Sequence, residues 1–282
     1  MTAADGLAFA RRGYEGAATA WAEGAELVYG PLADALLARA PDLAGQLVLD
    51  VGAGTGAVSR RLVAAGAHAV AVDASWPMLA HRASSRPPAV VGDISRLPLM
   101  DGVVDGAAAA FVLNHLADPV AALVEMRRAV RLGGFIVASV FAIADPPAAK
   151  AAIDDALATA GWEAPEWYRF LKSVDGQLGS AATMRHAAQA ADLEHIDVVE
   201  EPVRTGLTDA RYIVRYRLSQ PPRARFVAEL SEKARRRVVD ECVARVAELD
   251  EAFDPNVVLL AGARLTSPLR NLGPHSGPSR RT

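Results

Sequence analysis

The stretch Val48-Leu49-Asp50-Val51-Gly52-Ala53-Gly54-Thr55-Gly56 decides the fold of this chain. An apolar run ends in an aspartate, and three glycines follow at alternate positions. Such a run, followed by a helical pattern, is typical of a buried parallel strand that turns into a helix. Glycines let a ligand lie against the main chain, and ligands of open α/β sheets bind outside the carboxyl ends of such strands. The stretch therefore predicts a small-molecule site at the end of this strand.

Two classes of ligand fit these glycines. The segment Gly52–Ala57 satisfies the dinucleotide fingerprint G-x-G-x-x-G/A, and Asp73 lies about 20 residues further on, as that fingerprint requires. However, Asp50 precedes the glycines, where its carboxylate would repel a diphosphate, and the turn itself contains no Lys or Arg. A third acid, Asp93, ends the next apolar run. Three carboxylates at successive strand ends suit a sulfonium or ammonium ligand that also carries a ribose and an adenine, and S-adenosylmethionine (SAM) is that ligand.

A set of motifs in a fixed order extends this prediction over residues 45 to 140. The motifs are Val48–Gly56, Val70–Ser75 with Met78-Leu79, Val91–Asp93, Phe111–Leu116 and Leu132–Phe135. Together they resemble the class I SAM-dependent methyltransferases, especially their small-molecule, ubiquinone-methyltransferase-like branch. The resemblance implies an α/β fold with a Rossmann-like, seven-stranded, mostly parallel sheet, helices on both faces, and helical lid insertions. It covers about a third of the chain.

The segments around these motifs predict the domain organisation. We expect an N-terminal helical lid over residues 1–44, a SAM-binding core over 45–144, and a helical, aromatic-rich insertion over 145–179. Residues 180–265 should complete the core with strands 6 and 7 and contain a helical insertion at 204–251. The tail 266–282, rich in Pro, Gly, Ser and Arg, is expected to be disordered. Within the lid, Gly30-Pro31 is expected to end one helix and start another.

The resemblance assigns the cofactor contacts to the ends of the first four strands. Asp73 should accept hydrogen bonds from both ribose hydroxyls, and Asp93 should meet the adenine amino group. Met78 and Ile94 should lie along the adenine ring. The expected cofactor-binding residues are Asp50, Gly52, Ala53, Gly54, Gly56, Asp73, Ala74, Met78, Asp93, Ile94 and Phe111.

His115, at the end of the fourth strand, is the expected catalytic residue, because histidine titrates near neutral pH and is suited to remove a proton from the acceptor. The alternative is that His115 only orients Asn114 or the SAM carboxylate, and Tyr29 and Tyr168 are weaker candidates for the base. The expected substrate-binding residues are Tyr14, Trp21, Tyr29, Asn114 and Tyr168. For the aromatic residues of the lid, packing between helices is the alternative role.

Composition limits the partners. A net charge of -3 over 282 residues gives no electrostatic reason to expect nucleic acid or an anionic membrane. Arg235-Arg236-Arg237 is followed by acids at helical spacing, which indicates a salt-bridged surface. Without a secretory signal or an apolar run of bilayer length, the cytoplasm is the expected compartment. Scattered histidines and one cysteine predict no metal site, and we expect a monomer or homodimer.

The sequence thus predicts a SAM-dependent methyltransferase that acts on a small, fairly apolar metabolite, expected to be aromatic or indolic and to belong to specialised metabolism. The Trp- and Tyr-containing segments on both sides of the core motivate this substrate class. Three alternatives stay open. A SAM-binding fold can be recruited for non-methylating chemistry such as cyclisation. An NAD(P)-dependent oxidoreductase is disfavoured by Asp50 and Asp93, and an RNA methyltransferase by the charge balance.

Overall fold

The computed structural model of the chain describes residues 13–14 and 16–265, so the expected disorder of 266–282 lies outside the described residues. A seven-stranded sheet forms its centre. The strands are β1 (Leu47–Val51), β2 (His68–Asp73), β3 (Ala89–Val91), β4 (Val104–Ala110), β5 (Val130–Phe141), β6 (Glu194–Pro202) and β7 (Asn256–Arg264). Their order in the sheet is β3-β2-β1-β4-β5-β7-β6.

The sheet is mostly parallel, which confirms the predicted fold class. Parallel pairs join β1 to β2 and β4, β2 to β3, and β4 to β5. Strand β7 is antiparallel to both of its neighbours, β5 and β6. The direction in which the chain crosses the sheet reverses at β1, which lies between β2 and β4. Ligands of open α/β sheets bind at such a switch point, outside the carboxyl ends of the strands.

Helices cover both faces of the sheet. A short α-helical segment, Ala18–Ala20, and a π-helical turn, Trp21–Ala25, precede the first long helix. The longer helices are α1 (Glu26–Leu37), α2 (Ala57–Ala64), α3 (Trp76–Ala80), α4 (Pro119–Ala129), α5 (Ala148–Thr159), α6 (Glu166–Val174), α7 (Ala181–Ala190), α8 (Ala210–Leu218), α9 (Pro221–Glu229) and α10 (Glu232–Ala247). Helices α4 and α7 contribute buried side chains to one hydrophobic cluster, and α1, α2, α5, α8 and α10 contribute to the other.

No helix within residues 13–14 and 16–265 has both the length and the apolar character needed to cross a bilayer.

Strand β1 is buried on both faces, which explains its continuous apolar run. Val48 belongs to one hydrophobic cluster, and Leu49 and Val51 belong to the other. Because side chains alternate along a strand, Asp50 points to the same face as Val48, where α2 packs. The strand therefore delivers a carboxylate into the interior at its carboxyl end.

The predicted helix break at Gly30-Pro31 is wrong, because both residues lie inside α1. A proline within a helix costs roughly 3 kcal/mol through the lost hydrogen bond and the clash with the preceding turn. The same helix buries Val28, Leu32 and Leu36 completely. Each such side chain contributes about 1.5–3 kcal/mol on burial, so the apolar face outweighs the proline.

Candidate active site

The turn after β1 has a backbone that only glycine adopts readily. The φ angles of Gly52, Gly54 and Gly56 are 70°, 53° and 93°, in the left-handed region that disfavours residues with a Cβ. Gly56 is also the residue that precedes the first turn of α2, and its end of the helix has no side-chain cap. The N–H groups of that first turn are therefore left for a ligand or for water.

This turn forms one wall of a cleft at the carboxyl ends of β1, β2, β3 and β4, which we call the glycine-turn cleft. It is lined by most of the predicted cofactor residues, namely Asp50, Gly52, Ala53, Gly54, Asp73, Ala74, Met78, Ile94 and Phe111. The cleft is also lined by residues that the sequence did not predict to bind the cofactor, namely Val58, Val72, Ser75, Gly92 and Val112. The cleft therefore collects residues from four strand ends into one place.

Two predicted cofactor residues stand apart from this lining. Gly56 directly precedes α2 and is not among the described residues that line the glycine-turn cleft. Asp93 is not among them either, although Gly92 and Ile94 on either side of it are. The Asp93 carboxylate accepts hydrogen bonds from the backbone N–H of Ser95 at 2.8 Å and from its hydroxyl at 2.7 Å. A contact of Asp93 with adenine stays a prediction.

Asp50 is a buried acid, with 1% of its surface exposed. One carboxylate oxygen accepts a hydrogen bond from the Ser59 hydroxyl at 2.5 Å, and Ser59 lies on the buried side of α2. Burial raises the pKa of Asp50 to about 6, although the Ser59 hydrogen bond and the charge of Arg86 oppose the shift. No ion pair to Asp50 occurs in the described part of the chain, so a cationic ligand in the cleft would stabilise its ionised form.

Asp73 is held by two backbone N–H groups. One oxygen accepts from Gly54 at 2.8 Å and the other from Ser75 at 2.7 Å. Burial raises the pKa of Asp73, while these two hydrogen bonds lower it in part. Each carboxylate oxygen keeps a further lone pair for a ligand hydroxyl. The Ser75 hydroxyl does not cap α3 and, among the described residues, is buried without a hydrogen-bond partner, which marks a place for a polar ligand group.

A cation lies at the glycine turn although the turn's own sequence has none. The Arg86 guanidinium donates to the carbonyl of Gly54 at 3.2 Å and to that of Leu79 at 2.6 Å. A diphosphate is therefore disfavoured by the carboxylates of Asp50 and Asp73 and not by a lack of cations around the turn. The sequence did not predict the contact of Arg86 with the glycine turn, because Arg86 is 32 residues from Gly54 in the chain.

A second cavity, of about 560 Å³, adjoins the first, and we call it the aromatic cavity. Its aromatic lining residues are Tyr14, Trp21, Tyr29, Phe111, His115, Phe141, Trp167, Tyr168 and Tyr216. The structure thus brings the five predicted substrate residues together, since Asn114 also lines it. Five side chains, those of Tyr14, Trp21, Tyr29, Phe111 and His115, line both this cavity and the glycine-turn cleft.

These shared side chains form a continuous aromatic wall. The rings of Trp21 and Tyr29 stack with centroids 4.9 Å apart, and Tyr29 meets Phe111 edge-on at 5.3 Å. Phe111 is followed by Phe141 at 4.5 Å. Phe111 itself has a φ of 56°, unusual for a bulky residue, and such strain is often stored at functional sites. The wall offers flat apolar surfaces between the two cavities.

His115 lies in the 3₁₀ turn Leu113–His115, shortly after β4, with its ring 6.0 Å from that of Tyr14. It lines both cavities, so it stands where a donor and an acceptor would meet. Burial raises the pKa of Tyr29 well above its ordinary value, so this hydroxyl keeps its proton at neutral pH and is unsuited to act as a base. The catalytic role of His115 stays a prediction.

No cluster of three or more metal-ligating side chains occurs among residues 13–14 and 16–265.

Part of the chain matches a known protein family. Residues 49–138 match the model of the family described as "Methyltransferase domain". Over 97 residues the chain is 45% identical to a demethylmenaquinone methyltransferase of Mycolicibacterium paratuberculosis, a match that covers 34% of this chain and 42% of that protein. The chain thus matches less than half the length of this curated relative.

Solved structures share the fold at low identity. A phosphoethanolamine N-methyltransferase of Haemonchus contortus, in complex with phosphomonomethylethanolamine and S-adenosylhomocysteine, superposes with a TM-score of 0.55 at 19% identity, covering 83% of this chain and 52% of that one. The [4+2]-cyclase SpnF superposes with a TM-score of 0.54 at 20% identity, covering 84% and 80%. These two likenesses show the fold alone.

The residues of the glycine-turn cleft fit SAM. The buried charge of Asp50 suits a cationic ligand, and Asp73 with the unpartnered Ser75 hydroxyl suits ribose hydroxyls. Met78 and Ile94 supply apolar surface for an adenine. Together with the family match, this arrangement identifies residues 49–138 as a class I SAM-dependent methyltransferase domain of the quinone-methyltransferase-like branch, with SAM as its cofactor.

Proposed function

We propose that the whole protein transfers the methyl group of SAM to a small, apolar acceptor bound in the aromatic cavity. The observation that carries this proposal is the shared wall: five side chains line both the glycine-turn cleft and the aromatic cavity. A donor and an acceptor bound on its two sides would therefore be neighbours. Bound SAM supplies a methyl group made electrophilic by its sulfonium. The protein has to align the methyl group with the acceptor atom and to exclude water. Alignment lowers the activation free energy by about 7–11 kcal/mol in favourable cases.

The acceptor is a flat ring compound, such as a phenol, an indole or a quinol, of a specialised pathway. The stacked rings of Trp21 and Tyr29 and the face of Phe111 support this class, because aromatic surfaces pack well against aromatic ligands. The name of the matched relative, a demethylmenaquinone methyltransferase, also points to a quinone-type ring.

His115 removes the proton if the acceptor arrives as a hydroxyl. Its position in both cavities supports this role, and the raised pKa of Tyr29 argues against Tyr29 as the base. Tyr168 lies in the aromatic cavity alone and so does not face the cofactor residues. An acceptor that arrives ionised would need no base.

The test is incubation of the protein with isotopically labelled SAM and a panel of phenols, indoles and quinols, followed by mass analysis of the products. We expect a product heavier by one CH₂ group. Calorimetry with SAM and with NAD(P)H should show binding of SAM alone. If SAM binds but no acceptor gains a methyl group, the proposal is wrong, and a rearranged product of unchanged mass would indicate a non-methylating activity instead.

A further inference from the structure

Arg86 joins two walls of the glycine-turn cleft that are far apart in the sequence. Its Nη2 donates to the Gly54 carbonyl of the glycine turn at 3.2 Å. Its Nη1 donates to the carbonyls of Met78 at 3.3 Å and of Leu79 at 2.6 Å, near the end of α3. Gly54 and Met78 line the cleft, whereas Arg86 is not among the described residues that line it. Arg86 therefore contacts both walls without lining the space between them.

Helix α3 depends on contacts of this kind. It contains five residues, Trp76–Ala80, and so short a helix is unstable without tertiary contacts. The last carbonyl groups of a helix have no partner within the helix, and here the Arg86 guanidinium donates to two of them. Because α3 carries Met78, the position of the predicted adenine surface depends on how the end of this helix is held.

Gly54, on the opposite wall, is held through both of its backbone polar groups. Its N–H donates to Asp73 at 2.8 Å, and its carbonyl accepts from Arg86. A Cβ added at Gly54 would lie 3.5 Å from the Met78 methyl, so the turn and α3 are neighbours at this point. A guanidinium presents its N–H donors in a rigid planar fork, which fixes the separation of the acceptors that it joins. Arg86 thereby sets the distance between the glycine turn and α3.

Arg86 also places a positive charge near the two acids of the cleft. Burial raises the pKa of Asp50 and of Asp73, and the charge of Arg86 lowers both in part. The other groups that act on Asp50 are the Ser59 hydroxyl of α2, which also lowers its pKa, and the Asp73 carboxylate, which raises it. Arg86 itself is influenced by the charge of Arg60 of α2. Since Arg86 is the cation that acts on Asp50, its loss should make Asp50 harder to ionise.

We propose that Arg86 is a positioning residue for SAM: it holds the glycine turn and the end of α3 at the separation that the cofactor requires, and its charge supports the acids of the cleft. It acts through Gly54, Met78 and Asp50 rather than by contact with the cofactor. The inference goes beyond the proposed function, because it concerns the cofactor cleft of the methyltransferase domain and applies to any acceptor.

The test is calorimetry of SAM binding to the full chain from pH 5 to pH 8. Arg86→Gln should raise the Kd for SAM at pH 8 by about tenfold or more, because it removes hydrogen bonds from a charged donor. The pH below which SAM binding weakens, about 6 in wild type, should move upward in this variant, because Asp50 then takes up a proton more readily. An unchanged or a lower Kd at pH 8 would overturn the proposal.

The conservative variant Arg86→Lys separates the geometric from the electrostatic contribution. It keeps the charge but lacks the planar fork that joins the two walls. We expect its Kd to lie between those of wild type and Arg86→Gln, with a pH dependence close to that of wild type. Wild-type affinity in Arg86→Lys would overturn the role in holding the two walls. A pH dependence in Arg86→Gln equal to that of wild type would overturn the electrostatic role.

Arg82→Gln is the matched control. Arg82 lies in the same connection between α3 and β3, but its side chain is 51% exposed and pairs with Glu26 at 3.8 Å rather than with the glycine turn. Removal of this charge should leave the Kd and its pH dependence at wild-type values, and equal effects of the two Gln variants would overturn the proposal. Thermal unfolding without cofactor shows whether each variant folds. If Arg86→Gln does not fold, the Kd of Arg86→Lys decides.

Discussion

The Glu26 carboxylate accepts a hydrogen bond from the Thr55 hydroxyl at 2.7 Å, which ties α1 to the glycine turn. The second oxygen of Glu26 pairs with Arg60 of α2 at 2.8 Å. Glu26 is largely buried, with 17% of its side chain exposed, so these contacts are shielded from water. The helix that carries Tyr29 is thereby held in a fixed position over the glycine-turn cleft.

Replacement of Glu26 should therefore weaken SAM binding without unfolding the protein. We expect Glu26→Ala to raise the Kd for SAM by about three- to tenfold, because hydrogen bonds to charged groups contribute about 1.5–3 kcal/mol and only part of this is felt at the cleft. Calorimetry measures the change. Asp34→Ala is the matched control: it removes another ion pair between α1 and α2, that of Asp34 with Arg61, in which Asp34 is 63% exposed. Equal effects of the two variants would contradict a specific role for Glu26.

SAM binding should weaken as the pH falls through about 6, the pKa to which burial raises Asp50. Below that pH the carboxylate takes up a proton and loses its attraction for a cation. The Kd for SAM, measured by calorimetry from pH 8 to pH 5, should rise in wild type and stay nearly flat in Asp50→Asn. A wild-type Kd that does not change over this range would show that Asp50 does not sense the cofactor's charge.

The same pKa predicts the stability of the protein without cofactor. The pKa of Asp50 is higher in the folded than in the unfolded chain, so the folded state binds more protons between the two values. The free energy of unfolding should therefore fall, through this group, as the pH rises from about 4 to about 6. Asp50→Asn should be more stable than wild type at pH 8, with the difference shrinking towards acid pH, as urea unfolding will show.

Gly54→Val should abolish SAM binding. The residue has a φ of 53°, and its N–H donates to Asp73, so a β-branched side chain strains the turn and occupies the surface on which the cofactor lies. Gly45→Val is the control, because Gly45 has a φ of 72° and no atom within 4 Å of an added Cβ. Both variants should lose stability in thermal unfolding, but the control should bind SAM normally. Retained affinity in Gly54→Val would contradict the placement of the site.

The variant His115→Ala tests whether His115 is the general base. If His115 removes the proton, kcat should fall by about 10²- to 10⁴-fold, and higher pH should restore part of it because the acceptor then ionises in solution. His186→Ala serves as control, since His186 is exposed on α7. A loss that is the same at every pH would assign His115 to positioning, and an unchanged kcat would remove it from the mechanism.

The sequence predicted those parts of the site that depend on local rules. The spacing of Asp73 after the glycine turn is an example, since the structure joins Gly54 and Asp73 directly across 19 residues. A strand, a tight turn and the next strand end are linked by short connections, so their relative placement follows from the pattern. Asp93 follows β3, as expected, and its carboxylate accepts a hydrogen bond from the backbone N–H of Ser95.

Contacts between distant elements could not be predicted in this way. Glu26 meets Thr55 across 29 residues, and Arg217 meets Asp154 across 63. Periodicity shows which face of a helix is buried but not which helix it will meet. At Pro31 the local rule itself failed, because burial of the apolar face of α1 outweighs the missing hydrogen bond.

The side chains shared by the two cavities should also couple the binding of ligands in them. Trp21 and Tyr29 belong to the helical segment that Glu26 holds to the glycine turn, so a ligand that orders this segment from one side also shapes the surface on the other. Such heterotropic cooperativity is reciprocal: S-adenosylhomocysteine should tighten acceptor binding by the same factor by which the acceptor tightens S-adenosylhomocysteine. Slow release of either product would then slow the release of the other, and product release would limit kcat.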